Sequence, residues 1–185
     1  MLRRSTLSVL VPLLAATTLP AQQESKMPPP KIVFVCEHGA AKSVIAVKEL
    51  EKLARERGIS IQAVSRGTTP DPDIPLLVRT GLKADGIEIG TMKPVQVKPE
   101  DLRDAARVIS FGPDISAVAG QMVRVDDWSA TPDVSGNFPA ARDYIVKRLQ
   151  TLDARVTKSY ATRQGRAVIN CTMPTCEDLT GRSAL

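Results

Sequence analysis

Two periods alternate along the chain. Ile32-Val33-Phe34-Val35 is a short apolar, β-branched run, the composition of a strand buried on both faces. Past Cys36 and Gly39 the period changes. Val44, Val47, Leu50 and Leu53 recur at about helical spacing, with Lys48, Glu51, Lys52 and Arg55 on the outside. This predicts strand one over Lys31–Val35 and a helix from about Ala41 to Arg57, closed by Gly58 as a C-cap. Ile59–Ser65 alternates and predicts strand two, so the segment reads as a βαβ unit.

Arg66–Pro72 is a loop, and a helix is predicted from about Asp73 to Ala84 with Pro75 in its first turn. Asp85-Gly86 is a turn. A short helix follows over Pro99–Ala106, then strand three over Arg107–Phe111, which Gly112-Pro113 ends. Strand four is predicted over Gln121–Val125, followed by a loop, Asp126–Asn137, that carries Trp128. A long helix over Phe138–Thr157 turns Phe138, Ala141, Ile145, Leu149, Leu152 and Val156 to one face. A short strand, Arg166–Asn170, precedes Cys171 and Cys176. Alternating strands and helices imply a three-layer α/β fold: a four-stranded parallel sheet, helices on both faces, flavodoxin-like topology. Ligands of such folds bind beyond the carboxyl ends of the strands. That edge should gather Cys36, Ser65–Thr68, Phe111–Asp114 and Asp126–Asp133.

Residues 1–21 read as an export signal: Arg3 and Arg4 form a basic start, Leu7–Leu19 an apolar stretch, and Ala21 a small residue at the cleavage point. The apolar stretch is too short to span a membrane. A periplasmic or secreted bacterial protein is therefore expected. Residues 22–30 form a linker stiffened by Pro28-Pro29-Pro30, residues 31–158 the domain, and residues 159–185 a tail with a cysteine pair. With 3% aromatic residues the core must be mostly Val, Ile, Leu and Ala, and a surface that stacks nucleic-acid bases is not expected. The formal charge of +5 suits an anionic small substrate, without the dense basic stripe of a nucleic-acid binder.

The candidate chemistry lies in Ile32–Ser43, I-V-F-V-C-E-H-G-A-A-K-S. One cysteine sits where a strand ends and a helix begins. A helix N-terminus offers unpaired N–H groups and the positive end of a dipole, which favour a thiolate and bind anions. The stretch thus proposes a thiolate, Cys36, under an oxyanion cradle. His38, the single histidine, is badly placed as a base for Cys36 on the same tight loop, and is expected to line the anion pocket. The spacing of Cys36, His38, Cys171 and Cys176 matches no zinc pattern, so neither metal nor cofactor is expected.

V-C-E-H-G-A-A-K-S, with Ser65-Arg66-Gly67-Thr68 after strand two, resembles the low-molecular-weight protein tyrosine phosphatases and their relatives, the thioredoxin-coupled arsenate reductases. Their signature is an apolar strand, Cys, five residues, Arg and Ser. The resemblance covers about residues 31–158. It implies that Cys36 attacks phosphorus, that the backbone N–H groups from Glu37 through His38, Gly39, Ala40 and Ala41 to Ser43 hold the equatorial oxygens, and that Ser43 stabilises the thiolate. It also implies an Asp-Pro after strand four as proton donor.

Three departures alter that picture. Lys42 stands in place of Arg, giving a point charge instead of a planar fork. His38 and Gly39 replace the usual Gly and Asn, and Gly39 can take the positive φ that Asn would adopt. The Asp-Pro becomes Thr131-Pro132, so Asp126, Asp127 or Asp133 must serve instead, with Asp127 favoured as lying just past strand four. The implied function is hydrolysis of a phosphomonoester, such as a phosphorylated protein. The alternatives are a non-catalytic module for phosphate or arsenate oxyanions, and an arsenate reductase using the tail cysteines. In an oxidising compartment a Cys171–Cys176 disulfide is the simpler account of that pair.

Overall fold

The computed structural model describes residues 28–120, 123–163, 170–172 and 175–177. The proposed export signal and most of the linker lie outside the described residues. Four parallel strands form the central sheet: β1 (Lys31–Cys36), β2 (Gln62–Gly67), β3 (Ala105–Ser110) and β4 (Val125–Asp127), in the order β2-β1-β3-β4. The helices are α1 (Lys42–Glu56), α2 (Leu76–Ala84), α3 (Pro99–Arg103), α4 (Ser116–Ala119) and α5 (Phe138–Arg163). The expected parallel sheet with flavodoxin-like topology is what the chain forms.

Alternation along the strands divides the core into two layers. Ile32, Phe34, Cys36 and Ile109 face α1, α2 and α5 with Val44, Val47, Leu82, Ile145 and Leu149. Val33, Val35 and Val108 face the other way, onto Leu102 and Ile115. Near the carboxyl edge, Phe34, Phe111 and Trp128 form an aromatic cluster with centroids 5.8–6.3 Å apart. Asn137 accepts the Ala140 N–H at 3.0 Å through Oδ1 and starts α5.

Several boundaries differ from the sequence reading. β2 begins at Gln62 because the Ile59 N–H is spent on Ala54 O at 2.9 Å, closing α1 around Gly58 at φ +64. It continues to Gly67, the register partner of Cys36. Pro75 caps α2 from outside, and Asp73 Oδ1 takes the Ile74 N–H at 2.8 Å. α3 stops at Arg103, and β3 starts two residues earlier than predicted, at Ala105. Strand four is Val125–Asp127 instead of Gln121–Val125, since Val125 is the residue that pairs with Val108. Gln121 and Met122 are outside the described residues. The pattern did not reveal α4. In the tail, β5 (Asn170–Thr172) and β6 (Thr175–Glu177) pair antiparallel; of the predicted strand Arg166–Asn170, residues 166–169 lie outside the described residues.

Candidate active site

Cys36 ends β1 and is 7% exposed. Its Sγ lies 3.1 Å from Ser43 Oγ in the first turn of α1. Ser65 Oγ, at the carboxyl end of β2, donates to Ser43 Oγ at 2.8 Å. That leaves the Ser43 proton for the sulfur, so Ser65, Ser43 and Cys36 form a directed chain of hydrogen bonds. All three side chains are buried and share the α1 side of the sheet.

The loop between Cys36 and α1 is held from outside by its carbonyls. The N–H groups of Thr68, Thr69 and Asp71 donate to Cys36 O, Glu37 O and His38 O at 3.2, 2.8 and 3.0 Å. In a planar trans peptide the N–H points opposite to the C=O. The N–H groups of Glu37, His38 and Gly39 therefore face inward, away from residues 68–71. Gly39 O lies 3.3 Å from Ser65 Oγ, whose proton goes to the nearer Ser43 Oγ at 2.8 Å. Ala41, Lys42 and Ser43 add the N-terminus of α1, whose N-cap makes no side-chain hydrogen bond. The result is a cradle of backbone donors around Cys36, suited to an oxyanion.

This folding needs two glycines. Gly39 adopts φ +60, and its backbone lies directly on that of Gly67. Gly67 is tied further by its N–H to Val95 O at 2.9 Å and by Val97 N–H to its carbonyl at 2.8 Å. Arg66 points to the opposite face and pairs with Asp101 at 2.7 Å.

Lys42 is half-buried, and its Nζ donates to Thr131 O at 2.8 Å. It thereby joins the start of α1 to the loop after β4. Thr131 itself is buried and donates its hydroxyl to Trp128 O at 2.8 Å, a structural task. His38 does not face the cradle as expected: its Nδ1 lies 3.2 Å from Asp71 and its Nε2 3.8 Å from Glu37, on the exposed rim.

The three candidate carboxylates separate cleanly. Asp127 lies within β4, not past it, and shares its face with Val125, which packs in the layer opposite to Cys36. It lines a cleft of about 410 Å³ with Ser110, Pro113, Asp114 and Ile115. The Ser129 N–H and then the Ser129 hydroxyl hold its carboxyl below the ordinary range. The structure does not bring Asp127 to Cys36. Asp126 pairs with Arg107 at 3.6 Å. Asp133 remains, two residues past Thr131 and within the field of Lys42. The Ser135 hydroxyl holds Asp133 below the ordinary carboxylate range against a desolvation cost, and the Gly136 and Ser135 N–H groups and the Lys42 charge add to this. Ser65 and the Thr131 carbonyl escaped sequence reasoning as site groups. The Ser-x-Gly-Thr spacing was the available signal for Ser65; nothing in sequence marks a carbonyl. Among the described residues no group of His, Cys, Asp and Glu is placed to hold a metal ion.

A family profile described as PTS system, Lactose/Cellobiose specific IIB subunit matches residues 31–74, which carry β1, the cradle, α1 and β2. No curated protein matches the sequence significantly. Solved structures do. YfkJ from Bacillus subtilis superposes with a TM-score of 0.66 at 22% identity, covering 72% of this chain and 98% of that one. The Corynebacterium glutamicum thioredoxin-dependent arsenate reductase gives 0.59 at 24% identity, over 72% of this chain and 65% of its own. A low-molecular-weight protein tyrosine phosphatase from Bacillus subtilis gives 0.57 at 17% identity, over 69% and 97%. The chain therefore has the fold shared by these phosphatase and arsenate reductase structures.

Proposed function

We propose that this chain is a phosphatase-like hydrolase that binds a phosphate ester in the cradle and carries the phosphoryl group on Cys36. The observation that carries the reading is the chain Ser65–Ser43–Cys36, at 2.8 and 3.1 Å, beneath inward-facing N–H groups. The thiolate attacks phosphorus, a P–S bond forms and the ester P–O bond breaks. Water then hydrolyses the P–S bond and returns the thiolate. Of the three candidate carboxylates Asp133 lies within the field of Lys42, but its lowered pKa leaves it without a proton to give at neutral pH. A carboxyl held below its ordinary range is ionised at neutral pH, so esters with acidic leaving groups, such as aryl phosphates, are the favoured substrates. The fold shared with phosphatases and arsenate reductases supports an oxyanion as ligand.

The test is hydrolysis of p-nitrophenyl phosphate by the purified chain beside Cys36→Ser. Turnover lost in the variant is expected; rates equal to the variant from about pH 5 to about pH 8 overturn the reading. A second reading, an oxyanion binder without turnover, is favoured by the engagement of Lys42 with Thr131 O. Phosphate binding by calorimetry without hydrolysis would select it.

Export and a tail disulfide belong to the same proposal. Residues 1–21 have the charge and apolar pattern of a signal. Cys171 and Cys176 are register partners across β5 and β6, and such partners have Cα atoms about 4.5–5.5 Å apart, within the range a disulfide spans. Peptide mapping after arsenate exposure separates this bond from one between Cys36 and either tail cysteine, which an arsenate reductase would form.

A further inference from the structure

Among the described residues β4 is an edge of the sheet, with one neighbour, β3. The Trp128 N–H donates to Ser110 O at 2.7 Å, so Asp126 and Trp128 turn their backbone groups toward β3. Val125 and Asp127, alternating with them, turn theirs outward.

Arginines gather beside this edge. A cleft of about 230 Å³ is lined by Arg107, Arg124, Asp126, Trp128, Arg148 and Leu152. Arg107 and Arg124 share the face of Asp126 by strand alternation, and Arg148 reaches over from α5. Arg107 meets Asp126 at 3.6 Å. The Arg148 guanidinium lies 4.9 Å from the Trp128 ring centroid and donates to Asp127 O at 3.2 Å and Tyr144 Oη at 3.1 Å. It is thus fixed in place, with donors to spare. Arg124 is exposed and has no hydrogen bond or ion pair among the described residues. Three guanidiniums gather here beside Asp126 and Asp127. Asp126 is paired with Arg107, and the Asp127 carboxylate, on the other face of the strand, lies within the field of Arg148. This leaves Arg124 as the cation with no carboxylate partner among the described residues.

We propose that this edge is a docking site for an extended acidic polypeptide segment. The segment adds beside β4, pairing with the outward groups of Val125 and the Asp127 N–H, while its Asp or Glu side chains are taken by Arg124 and Arg148. A nucleic acid fits less well. Trp128 is 3% exposed and roofed by Arg148, so no aromatic face is offered to a base, whereas backbone donors and acceptors in strand spacing are. The site uses none of the atoms around Cys36 and stands independently of the chemistry proposed there.

Fluorescence anisotropy of a labelled peptide with Glu at alternate positions, titrated with the full chain, tests this. Saturable binding is expected, weakened about tenfold or more by Arg124→Glu, weakened by Arg124→Ala in the same direction, and weakened by added salt. At constant ionic strength, saturating inorganic phosphate and Cys36→Ser should leave it unchanged. No binding at low salt, equal binding by Arg124→Glu, displacement by phosphate, or tighter binding of a single-stranded oligonucleotide of equal charge would each overturn it. Arg124 makes no hydrogen bond or ion pair among the described residues, and matching thermal transitions of the variants verify that the fold is kept.

Discussion

Gly39 and Gly67 meet backbone to backbone at the mouth of the cradle. A Cβ on Gly39 would stand 2.8 Å from Gly67 N, and one on Gly67 would stand 2.7 Å from Gly39 N. Neither approach is to a side chain that can move aside. The pair fixes how closely the cradle loop rides on the end of β2, and so where Ser65 meets Ser43.

Gly67→Ala should therefore destabilise the chain by overpacking, about 1–3 kcal/mol. Gly39→Ala adds left-handed strain of about 1 kcal/mol and should be the worse of the two. Gly58, at φ +64 with nothing within 4 Å of its Cβ site, is the control. Gly58→Ala carries strain alone and should leave phosphate affinity intact. Denaturant unfolding and phosphate calorimetry decide; equal losses at Gly58 and Gly67 would contradict the contact argument.

The serine chain makes a graded prediction. Ser43→Ala removes the hydrogen bond that the proposed thiolate would accept, worth about 1.5–3 kcal/mol to a charged acceptor, so alkylation of Cys36 by iodoacetamide at neutral pH should slow about tenfold or more. Ser65→Ala leaves the Ser43 contact but lets its hydroxyl turn, and should slow alkylation less. The order is the test, and a larger effect at Ser65 would place the controlling hydrogen bond elsewhere.

Lys42 holds the Thr131 carbonyl and, in the function proposed above, the oxyanion as well. Lys42→Met should weaken phosphate binding and also release the loop around Thr131, seen as faster proteolytic cleavage there. Lys42→Arg should keep the loop and raise aryl phosphate turnover, since a planar fork can hold two oxygens. Unchanged cleavage in Lys42→Met would mean that the 2.8 Å contact does not hold the loop.

Glu49 gives a pH signature away from the site. It lies in the middle of α1 and is 7% exposed. Burial pushes its carboxyl up, with Lys52 and Arg142 opposing and Asp85 and Glu56 adding. A carboxyl with a raised folded pKa favours folding most when protonated; that contribution is full below the unfolded pKa and lost as pH rises through the folded one. Glu49→Gln should therefore raise the melting temperature at pH 7, and its advantage should shrink as the solution is acidified through the carboxylate range. An advantage that grows on acidification would reverse the sign of the argument.

The parts of this site that are local in sequence were legible. Strand, Cys36, glycine turn and helix lie within a dozen residues, and their periodicity forces Cys36 to a helix N-terminus whatever the rest of the chain does. The parallel sheet with helices on both faces followed from the alternation of strands and helices. The far side was not legible, because it is built from short, polar pieces. β4 is three residues, two of them aspartates, and its register comes from pairing with β3, which no local pattern encodes. A shift of two residues in that strand changes what Asp127 is: a residue placed in a loop becomes one committed to a face, and to the face that Cys36 does not share. Lys42 was visible as a cation but its partner was not, since a carbonyl 89 residues away carries no sequence label.

Trp128 is the only tryptophan in the chain. Its ring stands 6.0 Å from Phe34 on the strand that delivers Cys36, and 4.9 Å beneath the Arg148 guanidinium. Its carbonyl holds the Thr131 turn to which Lys42 is tied. One indole thus sits where the two proposed binding surfaces adjoin, and the protein carries its own optical probe. An anion that draws Lys42 off Thr131 reaches the ring from the backbone side, and a peptide that draws Arg148 away reaches it from the face. The native emission spectrum, with no label attached, distinguishes the two.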